Sequence, residues 1–111
     1  MVYQWIVSFT TTSPTEPTPP SSKEVEDMVS GLFTQPSATW LAGPQSVDDG
    51  AEPSMDWEWM IAFRTESSTA PTNTALKAAV ENVFGATADN VWLAGPQSVD
   101  DGDVTEQTGG D

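Results

Sequence analysis

Hydrophobic and polar residues alternate over residues 2–11. Tyr3, Trp5, Val7 and Phe9 fall on one side, and Gln4, Ser8 and Thr10 on the other. The same rhythm returns over 56–65, where Trp57, Trp59, Ile61 and Phe63 oppose Glu58, Ala62 and Arg64. Period-two alternation rich in aromatic and β-branched side chains predicts two half-buried strands. Elsewhere the period lengthens. Val25, Met28, Val29, Leu32 and Phe33 recur at i, i+3, i+4, i+7 and i+8, and so do Leu76, Ala79, Val80, Val83 and Phe84. That spacing lays an apolar stripe along a helix. Ser21 with Glu24 makes a capping-box start for the first helix. Thr74 is the candidate cap of the second, and Gly85 suits its C-terminal stop. Pro36 closes the first helix and its link. Residues 39–42 and 91–94 then predict short strands, each stopped by Gly-Pro.

The pattern is a repeat. The eleven residues WLAGPQSVDDG at 40–50 return unchanged at 92–102, an offset of 52. Upstream, Trp5-Ile6-Val7-Ser8-Phe9 aligns with Trp59-Met60-Ile61-Ala62-Phe63 at offset 54, and the helix stripes align at offset 51. Each half therefore reads strand, helix, strand. The halves are 1–54 and 55–102, within one domain at 1–102, and an acidic, Gly-containing tail follows at 103–111. Residues 10–22 are rich in Ser, Thr and Pro and predict a stiff, exposed, extended loop. Residues 43–54 join the halves. The tail has no periodicity and predicts disorder on its own.

The order β-α-β-β-α-β, with two similar halves, resembles the ferredoxin-like, split βαβ sandwich. The resemblance implies an α+β domain with one antiparallel sheet and two helices on one face. The even-numbered face of the sheet would be open. The strands carrying the duplicated motif would lie at opposite edges, and a pseudo-twofold axis would relate the halves. Folds of this kind host many functions, so the likeness transfers none.

Composition narrows the chemistry. The chain of 111 residues is long enough to bury a core without staples. It has no cysteine and no histidine, so thiol chemistry and the commonest general base and metal ligand are missing. No Ser or Thr has a histidine or paired lysine to activate it. No Gly-rich phosphate loop is present, since Gly109-Gly110 precedes no helix. The expectation is a protein that is not an enzyme and has no cofactor. No apolar run approaches a membrane span, and the N-terminus lacks the basic region of a signal peptide. A virion or the cytoplasm is the expected location. Seventeen acids against three bases (Lys23, Arg64, Lys77) give a net charge of −14. Such a surface repels phosphate and anionic membranes, which disfavours both as partners. The acidity fits adaptation to a halophilic source, docking to a basic protein, or imitation of nucleic acid.

Between divergent surroundings, the repeated motif keeps even its loop residues as letters. A recently copied strand-turn unit explains this by local conformation alone. The functional reading is that both copies contact the same kind of partner. Trp40, Leu41, Pro44, Gln45, Ser46, Trp92, Leu93, Pro96, Gln97 and Ser98 are then the candidate partner-binding residues, with the two tryptophans as anchors. On opposite edges they would form two equivalent patches rather than one pocket, and an edge strand invites a further strand. Asp48-Asp49 and Asp100-Asp101 with Asp103 fail the EF-hand spacing and read as solvated turn acids, so no metal site is expected. Trp5, Trp57 and Trp59 read as core rather than as a sugar platform. Ile6 and Met60 match on the open face, either as a small apolar patch or as scattered surface residues.

Three functions follow. The first is a structural or assembly protein that binds protein subunits, its own copies or other components of a particle such as a capsid decoration, neck or tail. The second is an acidic inhibitor that fills the channel of a nucleic-acid-binding protein. The third is a small salt-adapted domain with no special partner.

Overall fold

The two alternating segments pair with each other at the centre of one sheet. The computed structural model describes residues 2–47 and 55–99. Their elements run β1 (Val2–Ser13), α1 (Ser22–Leu32), β2 (Ser37–Val47), β3 (Met55–Thr65), α2 (Asn73–Phe84) and β4 (Ala88–Val99). The sheet has the order β2-β3-β1-β4, and every neighbouring pair is antiparallel. Strands β1 and β3 pair without a break from Tyr3 opposite Thr65 to Ser13 opposite Met55. The motif-bearing strands β2 and β4 form the two edges.

Alternation sends Trp5, Val7, Phe9, Trp59, Ile61 and Phe63 to one face, where all are essentially inaccessible to solvent. There they form one core with Val25, Met28 and Val29 of α1 and Leu76 and Val80 of α2, so both helices cover the same face. Burying each large apolar side chain contributes about 1.5–3 kcal/mol. The aromatics assemble as two equivalent sets. Trp5 lies 5.0 Å from Phe33, which lies 4.6 Å from Phe63. In the other half Trp59 lies 4.8 Å from Phe84, which lies 4.9 Å from Phe9. Trp57 is also buried, its indole N–H donating to the Ser13 carbonyl. The three tryptophans expected in the core are there.

Helix α1 starts on the expected capping box: Ser21 accepts from the Glu24 N–H, and Glu24 accepts from the Ser21 N–H. In α2 the cap is Thr72, not Thr74; the Thr72 hydroxyl accepts from the Ala75 N–H at 3.1 Å. Gly85 ends this helix at φ 69°, a conformation open to glycine. Lys77 and the Ala88 N–H both hydrogen-bond the Glu81 carboxylate, which ties α2 to the start of β4. These two contacts, the lysine first, hold the Glu81 carboxyl below the usual carboxylate range.

The Gly-Pro steps do not stop their strands. Strand β2 continues to Val47 and β4 to Val99. Each step is a bulge, with two residues of the edge strand opposite one of its neighbour. Ala42 pairs with Met60 and Gln45 with Glu58, leaving Gly43-Pro44 opposite Trp59; Ala94 pairs with Ile6 and Gln97 with Gln4, leaving Gly95-Pro96 opposite Trp5. Both Gly-Pro peptide bonds are cis, with Gly43 at φ 118° and Gly95 at φ 122°. A Cβ on Gly43 would lie 2.7 Å from the Glu58 carbonyl oxygen, and one on Gly95 would lie 2.7 Å from that of Gln4. Glycine is thus required where the edge strand closes over a core tryptophan. A second bulge precedes each, at Ala38 (φ 53°) in β2 and Asn90 (φ 56°) in β4. The acids Asp48, Asp49, Asp100, Asp101 and Asp103, and the tail at 103–111, lie outside the described residues.

Candidate functional site: the open face of the sheet

Residues directly opposite across a ladder share a face. On the face away from the helices, Trp40 of β2 sits opposite Ala62, Ala62 opposite Ile6, and Ile6 opposite Ala94 of β4. The next row runs Ala42, Met60, Ser8, Trp92 in the same strand order. Seven of these eight residues are apolar; Ser8 is the exception. Ile6 and Met60 are therefore parts of a continuous belt across all four strands. Polar rows border it on both sides: Ser37, Arg64, Gln4 and Gln97 on one, Gln45, Glu58, Thr10 and Asp89 on the other.

The two motifs do sit on opposite edges, yet both tryptophans project from one face. Three strand spacings and a two-residue offset place them about 16 Å apart on the diagonal. They are the most exposed large apolar residues described, Trp40 at 63% and Trp92 at 64%, followed by Met60 at 40%. The remaining motif positions divide. Gln45 and Gln97 lie on the open face, each next to a bulge. Leu41 and Leu93 face the helices and pack on the core. Ser46 and Ser98 lie opposite Trp57 and Tyr3, on the helix side, and are exposed. Pro44 is half-buried and Pro96 exposed. A shallow depression of about 100 Å³ opens at the β4 bulge between Gln4, Ile6, Ala94, Gly95 and Gln97.

Of the alanines of the belt, alternation places Ala62 on the open face, whereas Ala42 and Ala94 escape a reading of periodicity. The repeat makes these two equivalent, and the register shows which face they take. An axis that exchanges the halves while keeping both helices on one face must stand normal to the sheet, so equivalent residues share a face. The register obeys it: the pair Ile6–Ala62 maps onto Met60–Ser8.

What this surface can do chemically is adhere. An apolar centre rimmed by polar groups is the anatomy of a protein interface. Among the described residues no three His, Cys, Asp or Glu are grouped to hold a metal. Among those residues, too, no helix is long and apolar enough to cross a membrane. The chain matches no protein-family model, no curated protein and no solved structure.

Proposed function

We propose that this chain is a ferredoxin-like, non-enzymatic assembly module that binds protein through the open face of its sheet, with Trp40 and Trp92 as anchors. One observation carries the reading: two tryptophans, each nearly two-thirds exposed, stand on one face at the ends of a belt that is apolar at all positions but Ser8. Exposed tryptophans in water are unfavourable alone and are enriched where a partner covers them. The ferredoxin-like arrangement is supported by the strand order and by both helices lying on one face.

The edges serve this purpose less well. Each carries two bulges and a proline, features that turn an edge away from further pairing. The belt also lacks charge, which favours an apolar protein contact over imitation of a polyanion; that needs carboxylates ranged along the docking face. A subunit of a larger particle is the setting we propose.

The test is parallel affinity capture from the native source with the wild-type chain and with a Trp40→Ser, Trp92→Ser double variant. Both residues are exposed, so circular dichroism should show an unchanged fold. We expect the double variant to lose the subunits the wild type retains. If every partner is retained, the open face is not the binding surface.

A further inference from the structure

On the reading that the open face docks protein, we infer that its occupant is a second copy of this chain, stacked face to face about a twofold axis that runs across the strands between the two sheets. The order of residues along each strand carries this. Every strand gives the belt one large residue and one small one: Trp40 and Ala42, Met60 and Ala62, Ile6 and Ser8, Trp92 and Ala94. A twofold axis across the strands keeps each strand over its own counterpart and exchanges the two rows. Trp40 then covers Ala42 of the second copy, Met60 covers Ala62, Ile6 covers Ser8 and Trp92 covers Ala94. Large meets small at all positions, which is the interdigitation that sheets stacked about 10 Å apart require.

The bordering rows agree. The same operation brings Arg64 over Glu58 of the second copy, and symmetry makes this contact twice. Neither residue has an ion-pair partner among the described residues. The alternative axis, parallel to the strands, also sets large over small, because the belt inherits the near-twofold symmetry of the repeat. There, however, Arg64 meets Gln4 and Glu58 meets Thr10. The charged pair selects the first arrangement. The area is adequate as well. Four strands of some eleven residues present about 700 Å², close to the roughly 800 Å² that each partner buries in a stable complex.

The net charge of −14 opposes self-association. Eight of the seventeen acids lie at 48–54 and 100–111, and the belt itself carries none. Repulsion between copies thus has no source within the belt itself, and salt screens it over about 8–10 Å. Self-docking should therefore tighten as salt rises, whereas docking to a basic protein should weaken.

Sedimentation equilibrium of the full chain at about 0.1 M and 2 M NaCl tests this. A reversible dimer that tightens with salt is expected. At the lower salt, Arg64→Glu and Glu58→Arg should each weaken it by about tenfold or more, since each sets like charges against each other twice. An equimolar mixture of the two variants should restore wild-type strength, because each supplies the charge the other has lost. Within one chain the two positions are about 20 Å apart, so no internal pair can produce that rescue. A chain that stays monomeric at both salts up to about 1 mM, or a dimer that the mixture fails to restore, overturns the inference. A monomer that still captures another protein through Trp40 and Trp92 overturns self-docking alone and leaves the reading of the face intact.

Discussion

The indole N–H of Trp5 donates a 2.8 Å hydrogen bond to the hydroxyl of Thr65, sixty residues away and in the other half of the repeat. Its counterpart runs the opposite way: Trp59 donates to Thr11 at 3.0 Å. All four residues are buried. A core tryptophan needs a partner for its one polar atom, and here each half supplies the acceptor for the other.

Thr11→Val and Thr65→Val keep the shape and remove the acceptor. Each should cost about 1–3 kcal/mol by leaving a buried donor unpaired. The Thr65 hydroxyl also donates to the Ser67 carbonyl at 2.6 Å, so Thr65→Val should be the more damaging. Urea unfolding followed by circular dichroism would rank them. Equal effects would mean that the Ser67 contact adds nothing.

Glycine matters at the bulges and not in the first helix. Gly43→Ala or Gly95→Ala would force a Cβ against a backbone oxygen and hold a left-handed φ, a loss of about 1–3 kcal/mol from the conformation alone. Gly31, within α1, has nothing within 4 Å of an added Cβ. Gly31→Ala should stabilise by about 0.5–1 kcal/mol. Thermal melts of the three variants should move in opposite directions.

The cap of α2 can be assigned by substitution. Thr72→Ala removes the acceptor for the Ala75 N–H and should cost about 1 kcal/mol. Thr74→Ala, already inside the helix and exposed, should be neutral or slightly stabilising. Comparable losses at both positions would contradict the cap.

Glu81 gives the fold a dependence on acid. Its carboxyl is held below the usual range by Lys77 and then by the Ala88 N–H. A depressed acid contributes stability at neutral pH, and that contribution is lost as pH falls through the carboxylate range to the lower folded value. Glu81→Gln should therefore be less stable than wild type at pH 7, and the gap should close below about pH 4. Melts from pH 7 to 3 would show whether the gap persists.

Much of this was legible in the chain. The alternation of β1 and β3 marked the core because each strand has one dry face, and the repeat offsets fixed the element order. The same offsets pointed to Thr72, which lies 51 residues after Ser21 as Leu76 lies after Val25. Local turn chemistry obscured it, since Thr74 is an equally good capping residue taken by itself. Gly-Pro read as a stop because both residues end strands in isolation; a bulge is defined by the opposite strand, which local sequence does not contain. Trp40-Leu41 and Trp92-Leu93 hid the open belt for a related reason. Two large apolar neighbours break the alternation, and only pairing with Ala62 and Ser8 shows which of them faces out.

The paired bulges have a consequence at high concentration. Between them, each edge keeps only three regularly paired residues, 40–42 in β2 and 92–94 in β4. Templated fibril growth uses straight segments of about six or seven residues. A chain with broad exposed tryptophans can thus be crowded together and still meet its neighbours as folded bodies, because neither border of its sheet is long enough to seed a thread.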